Sequence, residues 1–522
     1  MQPIGYSYLN RYYKLLLPKL GLEVYIDNTV DTECIRNYGS FKRKLLPRSR
    51  KFIDCPYEQM ISAIKYQGIR LHYFSAIFNN SLLKKADFSA FLAKKPNSKY
   101  NRVLWFLYEW LTNSKLDLPD LKSGNYIQLF EEKYYYTLKN GNKNKRTRVI
   151  NNAIGTQAFC PTVRKTLEVK NLAKIDVYDT AWAKMQTLGD FLSSDVIGRS
   201  INYLYTKETK SSTEIEHEKP DKKKMQRFLN AIKNAGLFEL TKEKIIDLQN
   251  QIVEDKARVT DYRTSEIYVG STIQRLNFID EDVHYVGVLA KYVPEMMEGL
   301  LSTHDNLMLD GRVPPLIHAA IISFGEVYIH PMDDGNGRIH RYLIHDVMKQ
   351  REPEHKFIIP ISAAILKNTA KYDAVLESIS KPVMAMLEWE LDTENNNRLI
   401  IHNDIDYMYR YPDYTEHVKF TYEMMNSAIS DELISEICLL IAFDRIKRYI
   451  NDIADIPNNK LDKITSIIIN AGGKASKQKR AFIEKHIEHD CLPEVEAKST
   501  QLLKEIKDRF NIDIKSLMRK LP

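Results

Sequence analysis

This sequence predicts an all-α protein interrupted by one short β-hairpin. Three observations carry that expectation. Apolar residues recur at three- and four-residue spacing in widely separated stretches. Two short pieces, SEIYVGS and VHYVGV, are instead rich in Tyr, Val and Ile. No run of about 18 apolar residues occurs, so nothing reads as a membrane span. The chain of 522 residues is too long for one hydrophobic core, and two to four domains are expected. We place a helical N-terminal domain at 1–168, a second domain at 169–385, and a helical, winged-helix-like C-terminal domain at 386–522.

The elements follow in order. The N-terminus, MQPIGYSYLNRYYKLLLPKLG, is too polar for a signal peptide and lacks a small-residue cleavage site, which points to a soluble cytoplasmic protein. From Pro56 to Leu116 the pattern is helical, with Met60, Ile61 and Ile64 on one face and Leu104, Tyr108 and Leu111 on another. Around Trp105, Phe106 and Trp110 the apolar residues nearly surround the helix, which should be buried. NSKLDLPDLKSGN and KNGNKNKRT are loops by composition. Helices resume near Ile175, are interrupted by the polar segment Thr206–Lys224, and return at Met225–Leu237 and Lys242–Val253. SEIYVGS and VHYVGV then pair as the hairpin. Pro314 and Pro315 suit the start of a helix carrying Leu316, Ala320 and Phe324. Ile339, Leu343 and Val347 predict another helix over Arg338–Lys349, and the pattern from Tyr372 onward is again helical.

Composition narrows the function little. A net charge of +8 is mild for this length. The basic clusters Phe41–Lys51, Lys139–Arg148 and Lys474–Arg480 read as solvated loops. The five cysteines (Cys34, Cys55, Cys160, Cys438, Cys491) are odd in number and far apart. They suggest buried, inert thiols rather than disulfides or a zinc site.

The informative stretch is IHPMDDGNGRIHR, Ile329–Arg341, at the joint between two predicted helices. Gly335 and Gly337 let backbone N–H groups converge at a helix N-terminus, a nest for anions. Arg338 and Arg341, three residues apart, leave one helical face, as a pair gripping phosphates would. Asp334 beside that nest makes electrostatic sense with a cation between it and the phosphates, and Mg²⁺ is the natural choice. His330 at the loop entrance is placed to take a proton from a hydroxyl near neutral pH. Each feature alone is ordinary; their order on a helix–loop–helix is not.

The segment HPMDDGNGR resembles the motif of the Fic family, His-Pro-Phe-x-Asp/Glu-Gly-Asn-Gly-Arg followed after two residues by a second arginine. The match covers His330, Pro331, Asp334, Gly335, Asn336, Gly337, Arg338 and Arg341, and departs at Met332, where Phe is usual. The resemblance implies a mostly helical core with a short hairpin flap, and transfer of AMP from ATP to a protein Ser, Thr or Tyr hydroxyl. It implies His330 as the base, Asp334 as the Mg²⁺ ligand, the loop at Gly335, Asn336 and Gly337 around the α-phosphate, and Arg338 and Arg341 on the outer phosphates. YRTSEIYVG resembles the flap, whose edge (Glu266, Ile267, Tyr268, Val269, Gly270) would pair with the target by strand addition. KSSTEIEHEKP resembles the family's inhibitory helix, with Ser212 and Glu216 matching and His217 where Gly or Asn is usual. There the glutamate would compete with phosphate for Arg341.

The implied partners are therefore ATP, Mg²⁺ and a hydroxyl-bearing protein, with no membrane; a homodimer is admitted. Two further readings stand beside transfer. The same pocket could remove AMP, with Glu216 orienting water. The C-terminal INAGGKASKQKRAFIEKH could serve a DNA-binding regulator, since a glycine turn between helices with basic flanks is compatible with helix-turn-helix.

Overall fold

The computed structural model describes residues 1–192, 194–218, 221–274, 279–355, 357–392 and 397–510. The chain divides into two compact units, each assembled from three separate stretches. The first comprises Met1–Ala173, Gly236–Arg351 and Ala370–Phe420; the second comprises Lys174–Ala235, Glu352–Thr369 and Thr421–Pro522. Consecutive segments cut at 168 and 385 do not describe this interleaving. Both units are mostly helical.

The first unit opens on strands that the sequence pattern did not disclose. β1 (Gln2–Ile4), β2 (Leu22–Asp27), β3 (Cys34–Asn37) and β4 (Lys42–Pro47) form a sheet ordered β1-β2-β4-β3. The central β2–β4 pair is parallel, and the outer pairs are antiparallel. Val24, Ile26, Leu45 and Leu46 are buried, while the cationic side chains of β4 point elsewhere. The basic run Phe41–Lys51 is therefore partly strand rather than loop. A strand of six residues that buries only two side chains gives too short an alternation to read against charge. Packed among other helices of the first unit, the helix Lys99–Thr112 buries every residue from Asn101 to Tyr108, as its apolar surround predicted.

The helices that position the motif follow. Val293–Asp310, Pro315–Ile329 and Asn336–Arg351 pack together, and Pro315 occupies the first turn of the second. That second helix is buried at every position from Leu316 to Glu326, a central helix rather than an amphipathic one. The two β-like pieces pair as expected: Tyr268–Gln274 runs antiparallel to Ile279–Val286, with an irregularity at Val269 and Gly270.

In the second unit, the polar segment Thr206–Lys224 does not interrupt the helix where expected. Ser194–Ile215 is one helix of 22 residues. Part of its polar surface, the buried Glu208, Thr209 and Thr213 with the half-buried Lys207, is bonded inside the fold. Lys207 pairs with Glu432 at 2.9 Å and with Glu436, and the Glu208 carboxylate accepts the Ser362 N–H at 2.9 Å and its hydroxyl. Thr209 and Thr213 donate to carbonyls four residues earlier, at 2.8 and 2.9 Å. Composition misled here because a polar face bonded inside the fold looks, in sequence, like a solvated one. Lys219 and Pro220 lie outside the described residues. The C-terminal glycine break joins Asn458–Asn470 to Lys477–Ile483.

Among the described residues no helix is long and apolar enough to cross a membrane. The five cysteines are unpaired with one another, and only Cys160 and Cys438 are buried; Cys34, Cys55 and Cys491 are partly exposed, against the expectation of five buried thiols.

Candidate active site

The joint between the two helices is a tight loop. His330 caps Pro315–Ile329 in the left-handed region, φ 55°, with its N–H donating to the Glu326 carbonyl at 2.9 Å. A non-glycine residue held there carries backbone strain of about 1 kcal/mol or more, and the surrounding bonds must impose it. The ring is oriented as well. Nδ1 lies 3.0 Å from the Val327 carbonyl, which can only accept, so Nδ1 carries the hydrogen and the neutral ring has its lone pair on Nε2. That is the tautomer a general base at Nε2 requires.

Three devices hold the rest of the loop. The Asn336 side chain clamps the Met332 backbone, accepting its N–H at 3.0 Å and donating to its carbonyl at 2.8 Å. Met332 itself is fully buried, filling the place expected of an apolar anchor. Gly335 adopts φ +97°, and a Cβ there would meet Val253 Cγ1 at 3.1 Å. Only glycine is comfortable with both the angle and the neighbour.

Asp334 and Arg338 are joined at 3.0 Å. The Asp334 side chain is 47% exposed, whereas that of Arg338 is 3% exposed and also donates to the Ile252 carbonyl at 3.0 Å. Arg341 is buried on the same helix. Both arginines are thus sunk into the fold rather than extended on a solvated face. Asn336 and Gly337 occupy the first turn of the helix Asn336–Arg351, the turn whose N–H groups make an anion nest.

Two buried residues at this site have no counterpart in the sequence reading. Glu326, one turn before His330, is 0% exposed, and its carboxylate oxygens make no hydrogen bond among the described residues. Burial holds it well above the usual carboxylate range, with the Arg341 charge pulling the other way. Arg263 is the second. Its guanidinium donates to the carbonyls of His330 at 2.7 Å, Ser265 at 2.7 Å and Val288, and its own N–H donates to the Pro331 carbonyl at 2.9 Å. Gly287 leaves room for it: a Cβ there would sit 2.8 Å from Arg263 Nη2 and 3.2 Å from His330 Cβ. A charged residue just before a strand gives no sign of burial; only the carbonyls gathered by the fold explain it.

Arg263 thereby ties the foot of the hairpin to the loop entrance. Glu266 accepts the Ala290 N–H at 3.0 Å, and the Ile267 carbonyl accepts that of Gly287 at 3.1 Å, while Val269 is exposed. Within the first unit, the structure brings together His330, Asp334, Gly335, Asn336, Gly337, Arg338 and Arg341, with Glu266, Ile267, Tyr268, Val269 and Gly270 on the hairpin. Ser212 is buried in the helix Ser194–Ile215 of the second unit, and Glu216 is exposed one residue past its end.

The loop can take a multiply charged anion at a helix N-terminus beside an oriented base. Asp334, a half-exposed carboxylate at that nest, fits a magnesium ligand. Residues 239–348 match the Fic/DOC family. Similar solved structures include a Fic-domain-containing signaling protein from Bacteroides thetaiotaomicron, 15% identical with a TM-score of 0.32, covering 49% of this chain and 96% of that one. Another is a Fic family protein from Desulfovibrio desulfuricans G20, 12% identical with a TM-score of 0.31, covering 66% and 87% respectively. No curated protein matches this chain.

Proposed function

From the premise that this chain is a Fic family protein, carrying that family's domain at residues 239–348, we propose that it transfers AMP from ATP to a hydroxyl of a protein. The observation that carries the reading is the His330 ring, fixed by the Val327 carbonyl with its lone pair on Nε2, at the mouth of an anion nest. His330 would accept the proton of the attacking hydroxyl. Its oxygen forms the new bond to the α-phosphorus, and pyrophosphate leaves. The N–H groups of the first turn from Asn336 would hold phosphate oxygens, and Asp334 would hold Mg²⁺, which supplies charge compensation there. Arg338 and Arg341 would add positive charge behind the nest.

The hairpin foot supports the way a target would be presented. Its edge from Glu266 to Gly270 offers main-chain groups to an extended segment, and Arg263 keeps that edge in fixed relation to His330. Ser212 and Glu216 support a further proposal, that Glu216 restrains transfer.

The deciding experiment incubates the pure protein and a cell lysate with ATP labelled at the α-phosphate and with Mg²⁺. Transfer of AMP puts label and the mass of one AMP on protein and releases pyrophosphate. Label from the γ-phosphate, or no label from either, would sink the reading. Glu216→Gly should raise self-labelling; equal labelling would leave Glu216 as an exposed residue at a helix end and Ser212 as a buried residue of the helix.

A further inference from the structure

We propose that the N-terminal domain binds single-stranded nucleic acid along a groove centred on Tyr66. Two hollows, about 240 and 380 Å³, adjoin on this domain and share Lys65 and Tyr66 in their walls. Cations and rings alternate through both. The first hollow carries Lys44, Lys99 and Arg164 with Tyr100 and Tyr134, and the second carries Arg50 and Lys51 with Phe52. Lys44 and Lys65 both approach the Tyr66 ring, at 5.4 and 5.1 Å. Tyr134 is 54% exposed, with Lys133 at 4.6 Å from its ring.

The charge is concentrated where the groove lies. Residues 31–53 hold seven Arg and Lys against two Asp and Glu, in a chain whose whole surplus is +8. Two carboxylates, Glu58 and Glu131, also line the hollows. Glu131 pairs with Lys99 at 2.8 Å, and Lys44 pairs with Glu33 at 2.5 Å. Arg50, Lys51 and Lys65 form no ion pair among the described residues, and all three are exposed. The pattern continues on the sheet edge, where exposed Tyr38 stacks on Phe41 at 5.1 Å beside exposed Arg36 and Lys42.

This combination selects its ligand by chemistry. Cations alone would suit any polyanion. Rings beside them, Tyr134 exposed and Tyr66 and Phe52 half-buried at the groove wall, suit a strand whose bases are unstacked and can lie on aromatic faces. A duplex keeps its bases inside, and an acidic peptide leaves the rings unused. Hollows of this size, at or below the lower end of small-ligand pockets, admit single units of a chain rather than a folded element.

The test is fluorescence anisotropy of the full-length protein with a labelled oligothymidylate of about 16 nucleotides, across a salt series. Binding should weaken steeply with salt. Arg50→Glu with Lys65→Glu should weaken it at least about ten-fold and lower the salt slope by about one for each cation reversed. Tyr66→Phe should keep binding, and Tyr66→Ser should weaken it at least about ten-fold with the slope unchanged. Melting curves confirm that each variant folds; the charge reversals, on exposed side chains, decide the matter even where Tyr66→Ser does not. Four results would overturn the proposal: no binding at low salt, equal binding of a duplex, displacement by polyglutamate at matched charge, or loss of binding through Lys474→Glu with Lys479→Glu in place of the groove variants. The third result would assign the groove to an acidic protein segment, and the fourth would assign binding to the C-terminal helices.

Discussion

Arg263 Nε donates to the carbonyl oxygen of His330 at 2.7 Å, joining the foot of the hairpin to the residue at the mouth of the nest. The same guanidinium holds the Ser265 and Val288 carbonyls. Its burial pushes its pKa down, so the fold already bears a cost for keeping that charge inside. Arg263→Ala should destabilise the protein by about 3–5 kcal/mol, because buried carbonyls lose a charged partner. Arg263→Lys should recover little, since an ammonium cannot reproduce the planar fork. Urea unfolding of both variants checks this. Near-wild-type stability of Arg263→Lys would show that charge rather than geometry holds the hairpin foot.

His330→Ala should lower AMP transfer by about 10²–10⁴-fold, the usual contribution of a general base. Nucleotide affinity should change little, because the nest is built from backbone N–H groups of another turn. Equilibrium binding of ATP beside a labelling time course separates the two quantities. Transfer at wild-type rate would remove His330 from the chemistry.

Asn336→Ala removes both bonds to the Met332 backbone. The two buried peptide groups left behind should cost about 2–4 kcal/mol together. Asn336→Asp can still accept from the Met332 N–H but cannot donate to its carbonyl, and should fall between. Thermal melting ranks the three proteins. If Asn336→Asp melts no higher than Asn336→Ala, the two bonds do not act separately.

Glu326 gives a pH dependence with a definite sign. Its folded pKa lies above the ordinary carboxylate value. Between the unfolded pKa and that raised value, the folded state binds more protons than the unfolded state. Its contribution is fully present below about pH 4.5 and is lost as pH rises towards the folded pKa, at up to about 1.4 kcal/mol per unit. Glu326→Gln has no such loss. The stability difference between Glu326→Gln and wild type should therefore grow from pH 5 to pH 8. Denaturant midpoints at each pH test this, and a constant difference would mean that Glu326 is ionised in the native protein.

The motif loop, the helices on either side of it and the hairpin were legible because each depends on local signals: glycines at a turn, proline at a helix start, apolar residues at fixed spacing. The strands β1–β4 were not, because a parallel β2–β4 pair is specified by partners far apart in sequence and by two buried side chains in a run of charge. The helix through Thr206–Ile215 was misread for the complementary reason. Lys207 and Glu208 are satisfied by Glu432, Glu436 and Ser362, which no local pattern anticipates. At the candidate site, residue types singled out His330 and Asp334 as expectations, while Glu326 and Arg263 became visible only through burial.

The interleaving of the two units bears on synthesis. During vectorial translation, Arg70 waits 343 residues for Asp413, its ion-pair partner in the first unit, and Arg199 waits 245 for Asp444 in the second. Neither unit can close around its final stretch until most of the chain has left the ribosome. Long-range closures of this kind slow folding and prolong exposure of apolar surface. The nascent protein is therefore a candidate client for chaperones until its last third emerges, and a transcript truncated after the motif would yield the motif loop without either finished scaffold.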